Sequence, residues 1–229
     1  LKPAMATPGS GVKLAEMMHD AGFPPGVLNV VLGTGSVVGE AIATHRDVMM
    51  VSLTGSTQAG SRVMELAAKS LKKVSLELGG KSPNVILDDL TDEEFSKAVR
   101  DGALNVLSNT GQDCASLSRM IVPKARKVEA EQIAAEVMSR CQIGDPMKAE
   151  TEMGPIANKQ QFATVQGYIR KGVAEGARLV IGGEGKPQGV RVGYYPKPTI
   201  FSDVTPTMTI AREEIFGPVL SIMPYTTEA

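Results

Sequence analysis

Apolar residues in the first third of the chain alternate between helical spacing and short β-rich runs. Helical spacing recurs through 12–21, where Gly22 ends the run, and again through 37–43 and 57–70. Two β-rich runs, 27–33 and 49–55, lie between these stretches and each ends on glycine. Strands that alternate with helices at this density predict an α/β fold with a parallel sheet.

The pattern changes from Val74 onward. Two β-like runs, 74–78 and 84–88, flank the pair Gly79-Gly80. Thr91 and Glu94 match a capping box that opens a helix to about residue 108. The remaining predictions are helices near 124–140 and 158–174 and strands near 118–123, 178–181, 198–202 and 219–223. We therefore place a boundary at Gly79-Gly80, between a cofactor-type half and a second α/β half.

Composition narrows the class of protein. The 229 residues, 42% of them hydrophobic, can form one large or two modest domains. A net charge of −1 gives no reason to expect nucleic acid or an anionic membrane as a partner. Two cysteines are too few for a disulfide framework and favour a reducing, cytoplasmic compartment. The chain starts without Met and stops after a strand-like run, so we expect an internal piece of a longer protein.

Two glycine-bearing turns follow predicted strands. The turn at 33–35 is similar to a dinucleotide fingerprint, but its third glycine comes one residue late, so a plain strand-to-helix turn is the alternative. In the turn at 53–60, Ser56 or Thr57 can cap the next helix and Gly55 lets the backbone approach a ligand. The N–H groups at such a helix start can bind an anion. An ordinary capped helix is the alternative.

Cysteine chemistry has one candidate centre. Cys114 follows Gly-Gln-Asp and precedes a strand, and it is either a small core residue or a nucleophile. The two histidines, His19 and His45, are far from Cys114 in sequence and match no zinc spacing, so a histidine-based hydrolase has little support. Glu77, on an apolar strand, is the remaining candidate base. Cys141 is interpreted as structural.

The chain resembles the aldehyde dehydrogenase superfamily nearly end to end. The blocks that carry the resemblance keep their order: Lys2-Pro3, 21–35, 53–60, LELGGKSPN (76–84), GQDCASLSR (111–119), IGDP (143–146), MGPIAN (153–158) and AREEIFGPV (211–219). The strings ELGGKSP and EEIFGPV are long and specific. The resemblance implies that residues 1–79 form the C-terminal part of a Rossmann-like, parallel-sheet dinucleotide-binding domain. Residues 80–229 are then an α/β catalytic domain that is incomplete at its C-terminal end.

The resemblance also implies a chemistry. Cys114 is expected to add to the aldehyde as a thiohemiacetal, and its backbone N–H to form part of an oxyanion hole. Hydride transfer to the nicotinamide then leaves a thioester. Glu77 is expected to act as general base, drawing a proton from the water that releases the acid.

A cofactor site follows from the same resemblance, with no metal. Its seven expected residues are Lys2 at the adenosine ribose, Gly33 at the adenine side, Gly55 and Ser56 at the pyrophosphate, Glu214 at the nicotinamide ribose, Phe216 beside it, and Leu78. Two positions depart from the family pattern. Met5 stands where a ribose-binding Glu is usual, which weakens the case for strict NAD over NADP, although NAD is favoured. Asp113, next to the nucleophile, either makes a polar or steric contact or has no consequence.

The expected partners are a small aldehyde and a second copy of the protein, because the family usually forms dimers or tetramers. Two rival functions stay open. One is thiol-ester hydrolysis or acyl transfer by Cys114 and Glu77 without redox chemistry, and the other is a non-catalytic binding module. Lys81 is interpreted as structural.

Overall fold

The chain divides into two compact units. The computed structural model describes residues 1–190 and 192–227. The first unit comprises Leu1–Gly79 and the second Gly80–Ala229. The cofactor role of the first unit and the catalytic role of the second remain predictions.

The first unit contains a parallel pair of strands with three helices. Its elements are α1 (Gly9–Asp20), α2 (Glu40–Thr44), β1 (Met50–Gly55), α3 (Thr57–Ala68) and β2 (Lys73–Leu78). β1 pairs in parallel with β2, with Leu53 opposite Leu76. α3 lies close to β2, since a Cβ at Gly60 would meet Leu78 Cδ2 at 2.8 Å. The helix-to-strand alternation predicted for this region is present from α2 onward.

The strand predicted at 27–33 is wrong. This stretch has no regular secondary structure. Among the described residues, its backbone hydrogen bonds beyond local turns are those to Leu1, whose N-terminal amine donates to Asn29 O at 2.7 Å and whose carbonyl accepts from Val31 N at 3.0 Å. A ladder needs several such pairs in succession, so apolar, β-rich composition alone does not make a strand.

The helical stretch predicted at 37–43 begins with an irregular turn. A π-helical turn, Gly35–Gly39, precedes α2. Gly33 lies just before it, and a Cβ there would meet Val38 Cγ2 at 2.4 Å. A side chain at position 33 would therefore collide with Val38, so this position needs glycine.

The second unit is a five-stranded sheet with helices on both faces. Its elements are β3 (Pro83–Val85), α4 (Asp92–Leu107), β4 (Arg119–Pro123), α5 (Lys127–Arg140), α6 (Lys159–Ala174), β5 (Arg178–Ile181), β6 (Thr199–Ser202), α7 (Thr209–Arg212) and β7 (Val219–Tyr225). The strand order is β3-β4-β7-β6-β5. Neighbouring strands are parallel except β5 with β6. The mixed α/β class with parallel sheets is as predicted.

Alternating side chains of β7 pack into two different hydrophobic cores. Leu220 and Ile222 pack with residues of α4 and α5, whereas Val219 and Met223 pack with residues of α6 and α7. This alternation places one core on each face of the sheet, as in sheets covered by helices on both sides. The predicted capping box of α4 is present: the Thr91 and Glu94 side chains each accept from the other's backbone N–H.

Three neighbouring parallel strands, β3, β4 and β7, begin at one edge of this sheet. Arg119, the first residue of β4, pairs with Pro83 of β3 and with Ser221 of β7. The segments that lead into these strands contain Lys81, the Cys114 loop and Glu214 respectively. Parallel pairing therefore brings these three segments to the same edge, although they are far apart in sequence.

Candidate active site

The loop that carries Cys114 starts with three successive residues in left-handed backbone conformation. Asn109, Thr110 and Gly111 have φ values of 47°, 60° and 70°. Such a conformation is costly for a residue with a side chain and persists where the surroundings fix it. Here Asn109 Nδ2 donates to Gln112 O at 2.9 Å and Thr110 Oγ1 donates to Gly154 O at 3.0 Å. The loop is thus held by its own side chains.

The same loop packs directly on the segment around Phe216. A Cβ at Gly111 would lie 2.2 Å from Gly217 C and 2.6 Å from Pro218 N. Phe216 also has a left-handed φ, 54°, and its carbonyl accepts from Gln161 Nε2 at 2.9 Å. The structure therefore brings together two blocks that the sequence analysis connected only through the resemblance.

Cys114 is exposed at the tip of a tight turn. Asp113 closes the turn: its Oδ1 accepts from Ala115 N at 2.9 Å and its carbonyl accepts from Ser116 N at 3.1 Å. Both hydrogen bonds lie within the loop, so the polar or steric contact expected of Asp113 toward a substrate stays a prediction. In the part of the chain that the structure describes, the Cys114 N–H makes no hydrogen bond. A free thiol beside a free N–H is the arrangement that addition to a carbonyl requires.

Cys141 lies in a different environment. It is half-buried and packs against the core beside α4 and α5. Burial, and secondarily the charge of Glu152, raises the pKa of the Cys141 thiol to about 11. Because the thiolate is the reactive form, this supports the structural interpretation of Cys141.

Two side chains that the sequence analysis did not single out position the Cys114 loop. Gln112 Oε1 accepts from Ala157 N at 2.9 Å, and Asn105 Oδ1 accepts from Leu117 N at 2.7 Å. Gln112 lies at the start of the loop and Asn105 lies on α4, and only the Gly-Gln of the cysteine block indicated one of them. Their contacts span 45 and 12 residues along the chain, beyond the reach of a local pattern.

Glu214 lies in the segment before β7, and one of its carboxylate oxygens is buried without a hydrogen-bond donor among the described residues. This oxygen is Oε1. A buried carboxylate oxygen without a donor calls for a partner, and ribose hydroxyls are donors of the right kind. Glu214 and Phe216 therefore fit the nicotinamide-ribose end of the expected cofactor.

In the first unit, the start of α3 fits an anionic group. Ser56 caps the helix, with its Oγ accepting from Ala59 N at 3.2 Å, as predicted. Within the described residues, the N–H groups of Thr57 and Gln58 make no hydrogen bond. At Gly55 an added Cβ would meet nothing closer than 3.8 Å, so packing within this unit does not require glycine there. These features suit the pyrophosphate of a dinucleotide.

The remaining predicted residues lie in the first unit. The half-buried Lys2 has its Cδ 4.0 Å from where a Cβ at Gly39 would lie, and its Nζ donates to Pro3 O at 2.9 Å. Glu77 and Leu78 end β2, where they pair with Thr54 and Gly55 of β1. Leu78 thus lies beside the turn at 53–60. Cys114 belongs to the second unit, so the proximity of Glu77 to Cys114 stays a prediction.

These features define an α/β protein with an exposed thiol on a strained loop, at the edge where parallel strands begin. Across 1–190 and 192–227, no group of His, Cys, Asp and Glu could hold a metal ion. Over the same residues, no helix combines the length and apolar character needed to cross a membrane.

Comparison with known proteins identifies the family. The aldehyde dehydrogenase family profile matches residues 1–229. The 3-succinoylsemialdehyde-pyridine dehydrogenase of a Pseudomonas species is 49% identical over 228 residues, which are 100% of this chain and 47% of that protein. This chain therefore belongs to the aldehyde dehydrogenase family, and it spans about half the length of the curated relatives it matches.

Solved structures of aldehyde dehydrogenases match the fold of this chain. A cysteine-to-alanine mutant of aldehyde dehydrogenase C from Pseudomonas syringae, complexed with NAD+ and octanal, superposes with a TM-score of 0.96 at 48% identity. The match covers 99% of this chain and 46% of that one. An aldehyde dehydrogenase of Bacillus cereus in complex with NAD+ gives a TM-score of 0.94 at 42% identity, covering 100% of this chain and 45% of that one.

Proposed function

We propose that the protein oxidises an aldehyde to a carboxylic acid with NAD as the hydride acceptor. The observation that carries the proposal is the setting of Cys114: an exposed thiol with a free N–H, on a loop whose backbone is fixed against the Phe216 segment. Membership of the aldehyde dehydrogenase family supports the same chemistry.

In the proposed reaction, Cys114 Sγ adds to the carbonyl carbon and forms a thiohemiacetal. The Cys114 N–H donates to the oxygen that gains charge in this step. NAD, when bound, supplies the hydride acceptor. The acyl group then remains on Sγ as a thioester. Glu77 takes a proton from the water that attacks the thioester, and the acid leaves as the C–S bond breaks.

The cofactor assignment rests on the fit of two groups of residues. Gly55, Ser56 and the open N–H groups of α3 suit a pyrophosphate, and the unpaired Glu214 Oε1 suits ribose hydroxyls. Two neighbours in fold hold NAD+ in their structures. Met5 is exposed and offers no carboxylate, so NADP is the alternative cofactor.

The nucleophile is tested by Cys114→Ser in the intact protein, with octanal as the first aldehyde. We expect reduction of NAD to fall by roughly a thousandfold or more, because a serine hydroxyl is a far weaker nucleophile than a cysteine thiolate. The affinity for NADH should stay within about twofold, since Cys114 does not hold the cofactor. Cys141→Ser is the matched control and should keep near-normal turnover. Near-normal turnover of Cys114→Ser would contradict the assignment.

The rival function, thiol-ester chemistry without redox, predicts a different result in the same assay. The protein would then cleave an activated ester through Cys114 but would not reduce NAD when given an aldehyde. Loss of both activities in Cys114→Ser, with NAD reduction present in the unaltered protein, supports the dehydrogenase.

A further inference from the structure

Two side-chain hydrogen bonds tie the Cys114 loop to one neighbouring segment. Thr110 Oγ1 donates to Gly154 O at 3.0 Å, and Gln112 Oε1 accepts from Ala157 N at 2.9 Å. The two partners are close together in the chain, so both bonds end on the same short segment. Of the two tied residues, Gln112 is the nearer to the nucleophile in sequence, since Asp113 alone separates it from Cys114.

Gln112 also holds the left-handed turn that opens the loop. Its backbone N and its Nε2 both donate to Asn109 O, each at 3.1 Å, and its carbonyl accepts from Asn109 Nδ2 at 2.9 Å. Its own backbone, at φ −90° and ψ 61°, lies outside the helical and strand regions. One amide therefore spans from Asn109, whose backbone is strained at φ 47°, to the segment that contains Ala157.

An amide side chain suits both of these contacts. The contact with Ala157 needs an acceptor, because the partner is a backbone N–H, and the contact with Asn109 needs a donor, because the partner is a carbonyl oxygen. A carboxylate supplies the acceptor alone, and the thioether of methionine supplies no donor and only a weak acceptor. Substitution can therefore separate the contact inside the loop from the contact that leaves it.

We propose that Gln112 is a positioning residue for Cys114: its hydrogen bond to Ala157 fixes the direction in which the loop presents the thiol and the Cys114 N–H to the aldehyde. This inference rests on the proposed function, because it assumes that both groups act on one carbonyl. Gln112 does not itself contact the reacting atoms. Its effect is on alignment, since the sulfur has to meet the carbonyl carbon while the N–H meets the oxygen, and a small displacement of either slows the reaction strongly.

Alignment and access of the thiol make different demands on the loop. Alkylation by iodoacetamide requires an accessible thiol, and Cys114 is exposed. Oxidation of an aldehyde requires the thiol, the N–H and the hydride acceptor in one arrangement. A loop released from Ala157 should therefore oxidise aldehydes more slowly while its thiol is alkylated as fast as before or faster. A side chain that only stabilises the fold would not change the ratio of these two rates.

The first test measures both rates in the intact protein, in a Cys141→Ser background that removes the other thiol of this chain. With Gln112→Met we expect kcat for octanal, followed by NAD reduction, to fall roughly thirtyfold or more, while the KM for NAD stays within about twofold. Alkylation, followed by the mass of the peptide that contains Cys114, should be unchanged or up to about threefold faster. Gln160→Met, at an exposed glutamine on α6, is the matched control and should change neither rate.

The second test separates the two ends of the amide. Gln112→Glu keeps an acceptor for Ala157 N and loses the donor for Asn109 O. We expect its kcat to stay within about fivefold of the parent, because the link between the loop and the neighbouring segment is preserved.

The outcomes separate this inference from the proposed function. If the parent does not reduce NAD with octanal or any other aldehyde, the proposed function itself fails. If the parent is active, the positioning role is overturned by normal turnover of Gln112→Met, by alkylation that falls in step with turnover, or by equal impairment of Gln112→Glu and Gln112→Met. If Gln112→Met fails to fold, a loss of more than about tenfold in the kcat of Gln112→Glu overturns it instead.

Discussion

Gly111 is the residue at which the Cys114 loop can change least. Two separate constraints act there, a left-handed φ of 70° and the approach of the Gly217 backbone to 2.2 Å from where a Cβ would lie. The first constraint makes any other residue strained, and the second leaves no space for a methyl group.

We therefore expect Gly111→Ala to displace the loop and to lower the free energy of unfolding by about 2–4 kcal/mol. The rate at which iodoacetamide alkylates Cys114 should change too, because the turn that presents the thiol moves with the loop. Gly176→Ala is the matched control: Gly176 has a φ of 91° but an added Cβ meets nothing within 4 Å, so only backbone strain of about 1 kcal/mol is expected. Equal losses in the two variants would show that the contact with Gly217 is unimportant. Thermal unfolding and alkylation kinetics give both measurements.

Single residues differ in how far the sequence reveals them. The Ser56 cap and the Thr91–Glu94 capping box were predictable because each is a local pattern of a few residues. Lys81 was interpreted as structural, and the burial of its Nζ without a hydrogen-bond partner among the described residues depends on neighbours that no local pattern contains. The left-handed Asn109 and Thr110 also had no signal, because neither residue type requires that conformation.

At the scale of elements, an ionic contact to the buried Glu131 carboxylate joins α5, β5 and β6. Glu131 on α5 is 6% exposed and accepts from Arg178 Nη2 of β5 at 2.5 Å and from Ser202 Oγ of β6. Lys127 and Asp203 extend the contact, and the lysine and arginine lower the pKa of the Asp203 carboxyl. These contacts link the antiparallel strand β5 to α5 and to the end of β6.

We expect Glu131→Gln to lower the free energy of unfolding by about 2 kcal/mol, because it keeps the side-chain volume and removes the charge that pairs with Arg178. Glu136→Gln on the same helix is the control. Glu136 pairs with Arg140 on the surface, at 42% and 75% side-chain exposure, so a loss below about 0.5 kcal/mol is expected. Chemical denaturation of the two variants makes the comparison, and similar losses would refute the importance of the buried network.

Elements were predictable where a pairing partner exists. The runs 49–55 and 74–78 became β1 and β2, which pair with each other. The run 27–33 has an equally β-rich composition, yet among the described residues its backbone meets only Leu1 in an extended pairing. Strand formation depends on neighbours that a linear pattern does not contain. The helices α3 to α6 follow their own helical periodicity, and α3, α4 and α6 also have side-chain N-caps.

At the scale of the whole molecule, the two units differ in the size of their hydrophobic cores. The second unit contains two buried clusters, one on each face of a five-stranded sheet. In the first unit the buried apolar side chains are Ala43, Leu66 and Ala67, and α1 has no buried residue. The parallel class of sheet and the family could be predicted from the sequence, but this inequality could not, because both halves have similar apolar patterns.

The inequality predicts that the units differ in independent stability. A two-stranded sheet with so small a core is marginal in water, whereas a covered five-stranded sheet can fold on its own. Produced separately, residues 80–229 should therefore unfold in one cooperative transition, and residues 1–79 should show none, with helix content well below that of the same residues in the chain. Circular dichroism during thermal and urea unfolding of both pieces, with chain 1–229 as the control, measures this. A cooperative transition in 1–79 with a free energy of unfolding above about 3 kcal/mol would contradict the prediction.

If the first unit is marginal alone, then a bound dinucleotide, which adds binding energy to the folded form only, should raise the apparent stability of that unit.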